Sequence, residues 1–64
     1  MKLSPREAEI VRLLALGYTY AGAAARLGVS RHTVGSHLKK AYRKLGVRSA
    51  GAAVMRAAKL GIIE

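Results

Sequence analysis

The 64-residue sequence lacks several residue types that small proteins use for stability. It has no cysteine, which excludes disulfide bonds and thiolate metal sites. It also has no phenylalanine or tryptophan, and alanine makes up much of its hydrophobic content. A chain this short buries only about 60% of the surface that its unfolded form exposes. We therefore expect close helix packing or self-association to supply the missing burial.

Acidic residues are also scarce. Three acids stand against twelve lysines and arginines, which gives a formal net charge of +9. No acid occurs between Glu9 and Glu64, whereas ten basic residues do. This distribution favours a polyanionic partner such as nucleic acid, or an anionic membrane surface. If the basic residues only kept the surface soluble, acids would be interspersed among them.

Long apolar runs are missing as well. The longest uncharged stretch, residues 13–25, contains two glycines and is too short to span a bilayer. The first five residues lack the apolar segment of a signal peptide, and we expect a cytoplasmic protein that does not insert into membranes. A membrane-active cationic peptide also fits poorly, because the predicted helices are short and separately capped.

Hydroxyl residues and glycines divide the chain into four helical segments. The predicted N-caps are Ser4, Thr19, Ser30 and Ser49. After Ser4, Pro5 suits the first helical position and Glu7 the third position of a capping box. The pattern predicts a single all-α domain over residues 1–64, with helices at about 5–16, 20–27, 31–45 and 50–60.

The spacing of Ala24, Gly28 and Val34 is typical of a helix-turn-helix. Ala24 lets the second helix approach its partner closely, and Gly28 permits the left-handed backbone of a tight turn. Val34 then packs on the inner face of the third helix. Alanine-rich sequences produce this spacing by chance, but here it coincides with two N-caps and a basic third helix.

The third helix has an apolar face and a polar face. Its core residues are predicted to be Val34, Leu38, Ala41 and Leu45. The outward residues near its start are Arg31, His32, Gly35, Ser36 and Lys39. In a helix-turn-helix such residues meet base edges in the major groove. Ser36 can donate or accept a hydrogen bond, and Lys39 can reach guanine N7 and O6 or a phosphate.

The chain resembles the LuxR/GerE-type helix-turn-helix family of bacterial transcription regulators over residues 3–63. The motifs that carry the resemblance are LSPRE at 3–7, GYT at 17–19, AARLGVS at 24–30, TV at 33–34, His37, KLGV at 44–47 and GII at 61–63. The resemblance implies a four-helix domain that inserts its third helix in the major groove of double-stranded DNA and often dimerises through its fourth. We therefore expect transcriptional regulation.

The resemblance and the helical wheel together assign the candidate DNA contacts. The expected base contacts are Gly35, Ser36 and Lys39. The expected contacts to the DNA backbone are Arg31, His32, Thr33, His37, Lys40, Arg43, Lys44 and Arg48. Phosphate contacts at the start of the helix would be aided by its free N–H groups and its dipole.

The fourth helix is apolar on more sides than the core requires. Ala53, Val54 and Ala57 suffice for the core, which leaves a second face. The expected dimer interface on that face is Gly51, Met55 and Ala58. Small residues allow close helix contact, and methionine fills irregular gaps. We expect a homodimer on DNA; alternatively, alanine serves there only as a helix former on a solvated face.

Some residues depart from the family pattern. Gly35 stands where the family usually has lysine or arginine, and Ala23, Ala53 and Ala58 replace isoleucine or leucine, so we expect an underfilled core. Gly35 also leaves a second function open. The same scaffold would then act as an adaptor or anti-activator that binds RNA polymerase or another regulator.

Other functional sites find little support in the sequence. His32 and His37 are five residues apart and do not share a helix face, so we expect no metal site and no cofactor. The sequence contains no nucleophile–base pair that would indicate an enzyme. The three tyrosines could stack on nucleic acid, although packing at the core margin is the favoured interpretation. The sequence leaves open a free-standing regulator or the output domain of a longer protein.

Overall fold

A computed structural model describes residues 2–63 as four α-helices: α1 (Pro5–Ala15), α2 (Tyr20–Leu27), α3 (Arg31–Leu45) and α4 (Ala50–Lys59). These residues contain no strand, which confirms the predicted all-α fold. Two helices end one residue earlier than predicted, because Leu16 and Leu60 are C-caps. Met1 and Glu64 of the predicted domain lie outside the described residues. Within residues 2–63, no helix is long and apolar enough to cross a membrane.

Each helix begins at a hydroxyl side chain, as predicted. The hydroxyl oxygens of the four N-caps accept from the backbone N–H three residues on, at 3.0–3.2 Å. At α1 the capping box is complete, because the Ser4 N–H also donates to Glu7 Oε1 at 2.9 Å. These bonds satisfy N–H groups that a helix start would otherwise leave unpaired.

The core forms where α3 contacts all three other helices. The four residues predicted for its inner face are all buried. Other helices contribute Ile10, Val11 and Ala24 to the same cluster. Since the buried residues of α3 lie on one stripe, its opposite face points away from the protein.

A tight turn joins α2 to α3. Gly28 has a φ of +71°, a left-handed conformation that costs glycine little. The N–H of Val29 donates to the carbonyl oxygen of Ala24 at 3.0 Å, which closes the end of α2. Ala24 is buried beside this turn. The predicted helix-turn-helix is therefore present.

The three alanines that were expected to underfill the core differ in their burial. Ala23 and Ala53 are fully buried, as expected of core positions. Ala58 is exposed, so its assignment to the core was wrong. The buried residues of α4 are Ala53 and Ala57, which are one turn apart, and Ala58 lies to the side of that line.

An ion pair between α1 and α3 is a feature of the fold that the sequence did not predict. Lys44 Nζ donates to Glu7 Oε1 at 2.8 Å. Among residues 2–63, Glu7 is the only buried charged side chain, with 4% of it exposed. The same carboxylate oxygen accepts from the Ser4 N–H. Glu7 therefore caps α1 and ties it to the C-terminal half of α3.

The environment of Glu7 shifts its pKa in two directions. Burial raises the pKa, but the hydrogen bond from Lys44, the bonds from Ser4 and the charge of Lys44 lower it, and the net pKa lies below the usual value. A pKa lowered by folding stabilises the protein above the unfolded-state value of about 4.3. This stabilisation is lost as the pH falls through the folded-state value.

Replacing Glu7 with glutamine should lower the free energy of unfolding at neutral pH by about 1–2 kcal/mol. Glutamine can still accept from the Ser4 N–H, so the change removes the charge but keeps the cap. The effect should be smaller than for a fully buried pair, because the Lys44 side chain is 37% exposed. Urea unfolding between neutral and acidic pH measures it, and Glu7→Gln should lose part of the parent's acid sensitivity.

Glu9→Gln is the matched control. Glu9 pairs with Arg6 at 3.4 Å on the exposed side of α1. Such surface pairs contribute at most about 1 kcal/mol, so this change should have the smaller effect. Equal effects of the two substitutions would contradict the role assigned to the buried pair.

Candidate nucleic-acid interface

The outward face of α3 is polar and basic. Arg31, Lys39, Lys40 and Arg43 are exposed on it. None of these four side chains has a carboxylate within 4 Å among residues 2–63, where the two ion pairs use Arg6 and Lys44. Their positive charge is therefore available to an external anion.

A groove runs between this face and the start of α2. Its lining residues are Tyr20, Arg31, His32, Gly35, Ser36, Leu38, Lys39 and Tyr42. The three predicted base contacts thus lie together on one surface, with two of the predicted backbone contacts beside them. Ser36 and Lys39 are exposed, and Gly35 is half-buried.

Gly35 leaves a gap in the row of side chains along α3. A Cβ atom built at this position would meet no atom within 4 Å outside its own helix backbone. No packing contact therefore requires glycine here. The missing side chain instead leaves the helix backbone accessible from the groove.

At the start of α3, the N-cap Ser30 contacts both the backbone and the side chain of Thr33. Ser30 Oγ accepts from the Thr33 N–H at 3.0 Å and lies 3.0 Å from Thr33 Oγ1. The cap thereby restrains the Thr33 hydroxyl, a predicted phosphate ligand. His37, another predicted backbone contact, is half-buried.

Lys44 differs from the other predicted backbone contacts. Its ammonium group points to α1 and donates to Glu7, so it is not among the free charges of the outward face. Arg48 is exposed in the connection between α3 and α4 and does not line the groove. Of the predicted backbone contacts, Arg31 and His32 line the groove with the base contacts, whereas Lys44 and Arg48 lie elsewhere.

The tyrosines have different surroundings. Tyr18 is half-buried, and the guanidinium carbon of Arg26 lies 5.7 Å from its ring centroid, a cation–π distance. The hydroxyls of Tyr20 and Tyr42 face each other at 3.4 Å across the groove. Sequence reasoning did not predict this pair, because no local signal links residues on two different helices.

The predicted dimer residues Gly51, Met55 and Ala58 are all exposed on α4, with Met55 74% exposed. Met55 and Ala58 line a shallow surface groove together with Val47, Ala52, Arg56 and Lys59. This face of α4 is separate from the α2–α3 groove.

Residues 1–57 match the GerE family, which is described as the bacterial regulatory proteins of the luxR family. The chain belongs to the luxR family. This family is a class of transcription-regulator domains and not a class of enzymes. The membership agrees with the resemblance inferred from the sequence motifs.

Several transcriptional regulators are similar to this chain. The probable transcriptional regulatory protein SgaR of Hyphomicrobium methylovorum is 50% identical over 52 residues, covering 81% of this chain and 25% of SgaR. The HTH-type transcriptional activator RamA of Corynebacterium glutamicum is 39% identical over 62 residues, covering 97% of this chain and 22% of RamA. The chain thus spans about a quarter of the length of these relatives.

Two solved structures share the luxR-family fold. The transcription factor GerE superposes with a TM-score of 0.91 at 32% identity, over 97% of this chain and 92% of GerE. The response regulator ChrA, of a heme-sensing two-component system, superposes with a TM-score of 0.94 at 40% identity, over 98% of this chain and 31% of ChrA. These likenesses confirm the four-helix helix-turn-helix fold.

Two glycines of this luxR-family domain should respond to alanine in opposite ways. Gly35→Ala should raise the free energy of unfolding by about 0.5–1 kcal/mol, because it stiffens a helix interior with open space around it. Gly28→Ala should lower it by about 1–2 kcal/mol, because its φ is left-handed. Thermal or urea unfolding measures both. Destabilisation by Gly35→Ala would show that glycine is required there for the fold.

Proposed function

We propose that this domain binds double-stranded DNA by inserting α3 in the major groove, and that the protein regulates transcription. The observation that carries the proposal is the outward face of α3, where four positive charges have no carboxylate partner among residues 2–63. Two of them, Arg31 and Lys39, line the groove that also contains Gly35 and Ser36. A helix-turn-helix motif whose second helix, here α3, is basic and exposed is suited to binding DNA. The names of SgaR and RamA support the regulatory role.

The proposed contacts divide by their position on α3. Ser36 and Lys39 contact base edges, and the backbone at Gly35 lies close to the DNA. Phosphates are contacted by Arg31, His32, Thr33, His37, Lys40 and Arg43, with Arg48 further along. Lys44 is left out of this set, because its ammonium group is bound by Glu7. Phosphate contacts supply affinity and register, whereas base contacts supply sequence preference.

Two substitutions should separate these roles. Lys39→Ala should reduce the preference for a duplex selected from a random pool over an unselected duplex by roughly tenfold. Arg43→Ala should weaken binding to both duplexes equally. It should also reduce the slope of log affinity against log salt concentration by about 1. Fluorescence anisotropy titrations at several salt concentrations measure both quantities.

Arg12→Ala is the control for a general loss of charge, since Arg12 is exposed on α1 and not on the outward face of α3. It should change affinity less than either α3 substitution. Identical behaviour of Lys39→Ala and Arg43→Ala would refute the assignment of base contacts. Absence of duplex binding by the parent chain would refute the proposed function.

We further propose that two copies bind DNA together through α4. The exposed face with Met55, Ala58 and Gly51 offers apolar and small residues to a second copy. A symmetric pair would present two α3 helices to two half-sites of a palindromic sequence. Self-association would also add apolar burial that the small core does not supply.

Met55→Glu tests the dimer. Sedimentation with a palindromic duplex should give two parent chains per duplex but one chain of Met55→Glu, because facing carboxylates repel and lose hydration. Leu16→Glu is the control, since Leu16 is 71% exposed at the end of α1. It should leave the ratio at two. A ratio of one for the parent chain would refute the dimer.

A further inference from the structure

Tyr20 and Tyr42 form a contact between α2 and α3 that the proposed base and phosphate contacts do not use. Tyr20 is the first residue of α2, and Tyr42 lies in the C-terminal half of α3. Their hydroxyl oxygens are 3.4 Å apart. Tyr42 is half-buried, whereas Tyr20 is 41% exposed, so Tyr20 is the more accessible residue of the two.

The pair lies on the surface that is proposed to face DNA. Both rings line the groove that also contains Ser36 and Lys39, and Tyr20 forms part of its wall on the α2 side. In a helix-turn-helix, the first helix of the motif crosses the DNA backbone while the second enters the groove. A hydroxyl at the start of α2 on this side therefore lies where phosphates are expected.

The hydroxyl chemistry fits a phosphate oxygen. A phenol has one O–H donor and can accept at the same time, so Tyr20 can accept from Tyr42 while it donates elsewhere. Burial and the hydrogen bond with Tyr20 hold the pKa of Tyr42 above its usual value. Hydrogen bonds in a chain polarise one another, which strengthens the terminal donor.

We propose that the Tyr20 hydroxyl donates a hydrogen bond to a phosphate of the bound duplex, and that Tyr42 is the residue that positions it. This inference rests on the proposed function. A neutral donor adds to affinity without neutralising a phosphate charge, so it releases no counterion. Loss of the hydroxyl should therefore weaken binding with an unchanged salt slope, unlike loss of Arg43.

The hydroxyl interpretation also differs from base stacking. Stacking would use the ring of Tyr20 and needs an unstacked base, which an intact duplex does not offer. Phenylalanine keeps the ring and removes only the hydroxyl. Tyr20→Phe therefore isolates the group on which the proposal depends.

The test compares the full chain with its Tyr20→Phe, Tyr42→Phe and double variants. The probes are the duplex selected from a random pool and an unselected duplex, each titrated at several salt concentrations. Tyr20→Phe should weaken binding to both duplexes by about three- to tenfold, which is the range for one neutral hydrogen bond. Tyr42→Phe should weaken it less, and the double variant should bind like Tyr20→Phe, because Tyr42 acts through Tyr20.

Tyr18→Phe is the matched control, since Tyr18 lies beside Arg26 and does not line the groove. It should bind both duplexes like the parent chain. Urea unfolding of every variant confirms that the compared chains are folded. A purely structural role for Tyr42 would lower the unfolding free energy and leave the affinity of the folded chain unchanged.

The outcomes distinguish this inference from the proposed function. If Lys39→Ala weakens binding while Tyr20→Phe binds like the parent, the inference is wrong and the proposed function stands. A Tyr20→Phe effect confined to the selected duplex would indicate a base contact and overturn the phosphate assignment. If the parent chain binds neither duplex, the proposed function fails and this inference fails with it.

Discussion

Burial of one stripe of α3 is the constraint on which the other features of the molecule depend. Val34, Leu38, Ala41 and Leu45 repeat at helical spacing and are all buried. Because α3 packs on three helices through this stripe, its opposite face is fixed toward solvent. The groove, the basic face and the Tyr20–Tyr42 pair all follow from that orientation. A rotation of α3 about its axis would bury charge and expose the core.

The scarcity of acids acts together with this orientation. Within residues 2–63, the two acids are Glu7 and Glu9, which both lie on α1 and both form ion pairs. Glu7 binds Lys44, so it stabilises the far end of α3 while the start and middle of that helix keep their positive charge. One buried carboxylate thus contributes to the stability of the fold without reducing the positive field of the groove.

Local signals predicted most of the fold, and contacts between distant residues were missed. The caps, the turn at Gly28 and the stripe on α3 depend on neighbouring residues, so their spacing was sufficient to predict them. The Glu7–Lys44 and Tyr20–Tyr42 contacts join residues 37 and 22 positions apart. They depend on how helices cross, which sequence spacing does not specify. Lys44 was therefore assigned to DNA, although its partner lies on α1.

The most direct test of the central claim is to map the DNA-facing surface on the protein itself. Nitrogen-15-labelled chain is titrated with a selected duplex, and the backbone amide shifts are followed by nuclear magnetic resonance. The largest changes should fall on residues 31–43 and at the start of α2, the elements that form the groove. Largest changes on α1, with those of α3 unaffected, would contradict the account.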